Sequence, residues 1–222
     1  MKRTKLSDRV LPDYTRGEEI MNMVTHIVGG SLGVAALVLC VVRAALNGDW
    51  LDITGAAVYG ASIITLYTIS SVYHGLPPGI GKKVMQVIDH CTIYFLIAGS
   101  YTPVVLSALR PVYPQIGWGL LAAQWILATL GATFTAIDLH RYRIFSMICY
   151  IGMGWGIILF LPQTIEVIGM LSFGLRLAGG IAYTNGAVLY GIGAKKHWMH
   201  SVFHIFVVIG TVFQFFAIFF AI

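Results

Sequence analysis

The chain has 222 residues, 58% hydrophobic and 10% charged, with a mean hydropathy of +0.82 and a formal charge of +5. So little polar surface cannot cover a soluble globule, which excludes a water-soluble enzyme and indicates an integral membrane protein. Spanning about 30 Å of hydrocarbon takes roughly 20 helical residues, so the length holds at most about seven or eight passes and no second domain.

The basic start, MKRTKLSDR, is not followed directly by an apolar core and a small-residue cleavage site, so a retained first helix is expected rather than a cleaved signal. Residues 1–18 form a cytoplasmic N-terminal segment in this reading, and residues 19–222 a single transmembrane domain. Helix one is expected from about Glu19 to Leu46, with Glu18 and Glu19 at the positive end of its dipole. The Asn-Gly turn of NGDW leads to helix two, about Leu51 to His74, which stops at GLPPGIG. Helix three covers about Lys83 to Leu109, with Pro103 as a kink. After RPVYPQ come helix four, about Ile116 to Ile137, the polar DLHRYR, and helix five, about Ile144 to Leu161. PQTIEVIG reads as a connection, helix six runs from about Leu171 to Ile192, and GAKK separates it from helix seven, about Trp198 to Ala221.

The expected fold is therefore an all-α, seven-transmembrane helix bundle. Lys2, Arg3, Lys5, Arg9, Arg16, Lys82, Lys83, Arg141, Arg143, Lys195 and Lys196 fall on the N-terminal side, against only Arg43, Arg110 and Arg176 on the other. The positive-inside rule then puts the N-terminus in the cytoplasm and the C-terminus outside, in the inner (plasma) membrane. With the basic residues in loops and no soluble domain around them, the net charge reflects orientation, not nucleic-acid binding. Cys40, Cys91 and Cys149 lie in apolar segments without metal-type spacing and are expected to be buried free thiols. The Gly-xxx-Gly spacings of GGSLG (29–33) and GMGWG (152–156) predict close helix packing, and Trp50, Trp118 and Trp198 sit where interfacial anchors belong.

This topology gives the depth of each unusual polar residue. Helix two ends on the cytoplasmic side with Ser70 and His74; helix three begins there with Asp89 and His90; helix seven begins there with His200 and His204, one turn apart on one face. Three helices distant in sequence thus bring one embedded acid and a set of histidines to one depth. Three neutral imidazoles with an open position form a catalytic zinc arrangement, and borderline-soft zinc suits imidazole better than magnesium or calcium does. A nearby carboxylate suits proton transfer from a bound water, and a serine hydroxyl suits hydrogen bonding to a developing oxyanion. The plainer alternative is a set of helix-packing histidines bonded to hydroxyls and carbonyls. His90, about 100° from Asp89 around the helix, fits packing better than ligation. His197 reads as solvated, His26 and His140 as structural, and Tyr94 and Tyr101 as packing residues.

The residues SSVYH (70–74), DHCTIYFLIAGSYTP (89–103) and HSVFH (200–204), with THIVGG (25–30), resemble the haemolysin III family. That family is the bacterial branch of the progestin and adipoQ receptors, within the CREST group of membrane hydrolases that includes the alkaline ceramidases. The likeness covers nearly the whole chain and departs at Gln214, where a further histidine is expected. It implies a zinc ion held by His74, His200 and His204, with Asp89 reaching the metal through bound water and Ser70 beside it. The expected function is a zinc-dependent hydrolase of a membrane-lipid amide or ester. The alternatives are a non-catalytic sensor of membrane state or a cytolysin.

Overall fold

The first helix begins where the sequence supplies its own cap. Thr15 Oγ1 accepts from the Glu18 N–H and Glu18 Oε2 accepts from the Thr15 N–H, a capping box that starts α1 (Arg16–Asn47). Asp49 and Asp52 build a second such box at α2 (Trp50–Gly75), two residues later. The Pro-Pro pair after Leu76 ends α2, and α3 (Ile80–Val104) follows. Pro103 lacks an N–H, and the backbone beyond it widens into a π-helical turn, Val105–Leu109, before a last short stretch, Arg110–Val112. Then come α4 (Pro114–Ile137) and α5 (Arg143–Trp155), a 3₁₀ turn over Gly156–Phe160, α6 (Leu161–Gly193) and α7 (Met199–Ala221). The computed structural model describes residues 4–193 and 196–222 and contains no strand among them.

Six helical runs among the described residues are long and apolar enough to cross a membrane: Arg16–Asn47, Trp50–Gly75, Ile80–Val112, Pro114–Ile137, Arg143–Gly191 and Met199–Ala221. The expected fifth and sixth helices belong to one run of 49 residues, in which Gly169 (φ 73°, ψ 164°) departs from helical backbone. PQTIEVIG, expected as a connection, is helical up to Ile168. Pro162 sits in the first turn of α6, where its missing N–H breaks nothing.

Contacts sort the connections to two ends of the bundle. At one end the Thr4 N–H donates to Asp138 at 2.9 Å, Lys83 Nζ donates to the Ser7 carbonyl at 2.6 Å, and the Trp198 N–H donates to Glu18. At the other, Arg43 reaches the Ile222 carbonyl, Arg110 pairs with Asp49, and the Tyr113 hydroxyl donates to Glu166. Of the residues in the charge count, Lys2, Arg3 and Lys195 lie outside the described residues. Arg176, counted with the outer loops, is buried inside α6.

GGSLG behaves as its spacing predicts: a Cβ on Gly29 would stand 2.5 Å from the Tyr67 ring, and one on Gly33 2.6 Å from Ile63. Only glycine lets α1 approach α2 this closely. GMGWG does so only at Gly156, where a Cβ would stand 3.1 Å from Gln124 Nε2; Gly152 and Gly154 meet nothing within 4 Å, and the segment turns into the 3₁₀ stretch, with the Gly154 carbonyl accepting from the Tyr101 hydroxyl. The tyrosines are more than packing, since Tyr94 also bonds Thr135. All three cysteines are free, and Trp50, Trp118 and Trp198 are exposed.

Candidate metal centre

His74 occupies the last turn of α2, and His200 and His204 the first turns of α7. The start of α7 is fixed from α1: Glu18 accepts the backbone N–H of Trp198, which adopts a left-handed conformation (φ 68°) just before the helix. Such a backbone is unfavourable for a non-glycine residue, so the contact holds it where packing alone would not. The three histidines then converge: one ring nitrogen from each lies within 4.8 Å of the others. Ring centroids are 4.6 Å apart for His200 and His204, 4.9 Å for His74 and His204, and 5.3 Å for His74 and His200.

The hydrogen bonds identify the free lone pairs. Glu19 Oε2 lies 2.6 Å from His74 Nδ1, and a carboxylate only accepts, so the proton of His74 is on Nδ1. His74 Nε2 is buried and without a hydrogen-bond partner, and in the neutral ring it is a bare lone pair. His200 Nε2 and His204 Nε2 face each other at 3.0 Å, while both of their Nδ1 atoms are buried and unpartnered. In a tetrahedral zinc site, nitrogens about 2.0–2.1 Å from the metal stand about 3.3 Å apart. The donor set fits a divalent transition metal in chemistry and in scale. A carboxylate behind a ligating imidazole is also the usual outer partner of such a site, fixing its tautomer and raising its basicity.

Ser70 and Asp89 lie on the wall of a cavity of about 170 Å³ that His200 and His204 also line. His90 lines it too, but its Nδ1 is turned to the Gln86 carbonyl at 2.8 Å. His197 is exposed and meets Glu18 at 3.3 Å, and His140 is exposed in the turn after α4.

Several members of the site carried no signal as single residues. Glu19, assigned above to the helix dipole, bridges His74 and Lys82 Nζ, the latter at 2.8 Å. Lys82, counted as a loop residue, is buried and also donates to the carbonyls of His74 and Leu76. His26 stacks on His204 with centroids 3.8 Å apart, and Asn22 is buried next to His74. The spacing of Glu19, Asn22 and His26 places all three on one helical stripe, a pattern that marks α1 as a wall of the site. Residues 4–15 run over this end as a strap, and the Tyr14 ring stacks on His200 at 4.9 Å. Burial pushes the Tyr14 phenol well above its ordinary pKa, so it stays a neutral cover.

A helical membrane protein with a buried three-histidine cluster opening on an internal cavity is the class that fold and site define. The family model for haemolysin-III related proteins matches residues 14–215, and the chain belongs to this family. It is 37% identical over 203 residues to Hemolysin-3 of Bacillus cereus, covering 91% of each chain. It is 34% identical over 207 residues to the Hemolysin-3 homolog of Bacillus subtilis (strain 168), covering 93% of this chain and 95% of that one. More distantly, it is 26% identical over 210 residues to the human monocyte to macrophage differentiation factor, covering 90% of this chain and 83% of the relative. No solved structure matches the chain.

Proposed function

We propose that this protein is a zinc-dependent hydrolase of a membrane-lipid amide or ester, in the inner (plasma) membrane. The observation that carries the reading is the unpartnered His74 Nε2, on a ring held by Glu19 from behind and grouped with His200 and His204 within 4.8 Å. His74, His200 and His204 would hold the metal, which supplies a Lewis acid able to make water nucleophilic near neutral pH. Asp89 takes the proton of the attacking water, and Ser70 donates a hydrogen bond to the carbonyl oxygen as negative charge builds on it. The apolar cavity takes the acyl chain, and the Tyr14 strap limits access of bulk water from the basic end.

We also infer seven passes with the N-terminus inside. A 49-residue helix would be about 74 Å long, more than twice the hydrocarbon thickness. Its contacts support a hairpin: Ser146 bonds Thr135 towards one end, Glu166 meets Tyr113 at the other, and Tyr190 returns to His200.

Metal analysis of protein purified without chelators should find close to one zinc per chain, lost in His74→Ala and His204→Ala. Absence of any stoichiometric transition metal overturns the site. Lipid profiles that are identical for wild type and metal-loaded Asp89→Asn overturn the hydrolase. The names of the bacterial relatives suggest a cytolysin instead, and conductance in pure lipid bilayers that survives loss of the histidines would favour that reading.

A further inference from the structure

The cavity that begins at the histidines ends at a different kind of group. Arg176 lines it from α6, together with Ser100 and Tyr101 of α3 and Gln214 of α7. Asp89 and Ser100 are eleven residues apart on α3, and His204 and Gln214 ten residues apart on α7, which places this second polar cluster about 15 Å along the helices from the first. The wall between them is apolar, including Ile93, Ile97, Ile151 and Val207.

Arg176 is only 5% exposed, yet everything that meets it is neutral. Nη1 donates to the Ser100 carbonyl at 3.4 Å and to Gln214 Oε1 at 3.3 Å, both long, and the guanidinium sits 4.6 Å from the centre of the Tyr101 ring. Gln214 is held in place by its own amide, which donates to the Arg176 carbonyl at 3.0 Å. Among the described residues no carboxylate lies within 4.0 Å of Arg176, whereas Lys82, another cation buried within a helix, has Glu19 at 2.8 Å. An arginine within a membrane helix needs a partner, and its planar fork suits a carboxylate or a phosphate in two-point contact. A cation without an anion, at the end of an apolar slot, is half of an ion pair.

We propose that Arg176 is the anion-binding end of the cavity. It takes the carboxylate or phosphate of a single-chain amphiphile whose alkyl chain lies along Ile97, Ile93 and Val207 towards the histidines. Gln214 and Ser100 hold the guanidinium over the Tyr101 ring so that its remaining donors meet the head group. This site needs no metal, although its apolar wall is the one the proposed hydrolase uses for the acyl chain.

The test uses the full chain in nanodiscs of zwitterionic lipid. Native mass spectrometry compares a long-chain fatty acid, a lysophosphatidate, the matching fatty alcohol and inorganic phosphate. Wild type should bind at least one of the two anionic amphiphiles on the order of tenfold tighter than the alcohol. Whichever anion binds more tightly identifies the head group. Arg176→Gln should abolish the preference for charge, and Arg176→Lys should keep most of it. Stripping metal should leave it intact, which separates this site from the histidine centre. Equal binding of acid and alcohol by wild type overturns the proposal, a result available even if Arg176→Gln does not fold. It is equally overturned if the preference survives Arg176→Gln, if it disappears with the metal, or if inorganic phosphate alone competes as well as the amphiphile.

Discussion

Replacing Glu19 by glutamine keeps the shape of the side chain and removes its charge. The bond to His74 Nδ1, 2.6 Å long, changes from charge-assisted to neutral, and charge-assisted bonds are roughly twice as strong. A net loss of about 1–2 kcal/mol follows at His74. The imidazole becomes a weaker donor and is free to choose the other tautomer, so metal affinity should fall about 10- to 100-fold. Lys82 loses its only anion within reach among the described residues but keeps the carbonyls of His74 and Leu76. Because the Glu19 side chain is 20% exposed, water moderates that loss, and metal-free stability should drop by about 1–2 kcal/mol rather than the 3–5 of a fully buried broken pair. Metal competition against a chromophoric chelator gives the first quantity, and thermal unfolding of the metal-free variant gives the second. An unchanged metal affinity beside a lowered Tm would refute the reasoning and reduce Glu19 to an anchor for Lys82.

The backbone N–H of Thr4, then that of Arg141, holds the Asp138 carboxyl down to about 2. A depressed pKa means the strap's hold is complete above the ordinary carboxylate range and is lost as pH falls through about 2. Pepsin cleavage within residues 4–13 should rise over that interval, and should already be high at pH about 4 in Asp138→Asn. Gly29→Ala drives a Cβ into the Tyr67 ring and should cost about 1–3 kcal/mol. At Gly30 the same change meets its nearest atom only at 3.6 Å, so Tm should fall for the first variant and hold for the second. Intact mass after alkylation under denaturing, non-reducing conditions should show three modified thiols; a disulfide would contradict the placement of Cys40, Cys91 and Cys149.

The histidines were legible because helical periodicity and the chain's alternation between two ends are both local properties. The four-residue step from His200 to His204 fixes a shared face, and the loops around them fix the depth. Glu19 and Arg176 were not legible for the opposite reason: their meaning depends on partners from other helices. An acid in the first turn of α1 already has a sufficient local explanation, so nothing in the sequence points from Glu19 to His74, 55 residues on. Arg176 looked like one of a few outer-side charges, because its burial comes from Ser100, Tyr101 and Gln214 closing around it. Gln214, noted in the sequence only as a missing histidine, is the residue that steadies that arginine. PQTIEVIG, read as a connection, is helical up to Ile168 because Pro162 can start a helix and Glu166 has the Tyr113 hydroxyl, and the non-helical backbone falls at its last residue, Gly169.

The residues of the candidate centre come from helices far apart in the chain: Glu19 and Asn22 from α1, His74 from α2, and His200 and His204 from α7. Synthesis runs from the first of these to the last. Until α7 is made and inserted, the nascent protein carries one imidazole of the proposed site with its carboxylate and nothing to set against it. A chain cut short before Met199 therefore has the strap, α1 and α2, but one donor of three. If the proposed site takes an ion, its capture would close a loop of more than half the sequence and would require α7 to be in place.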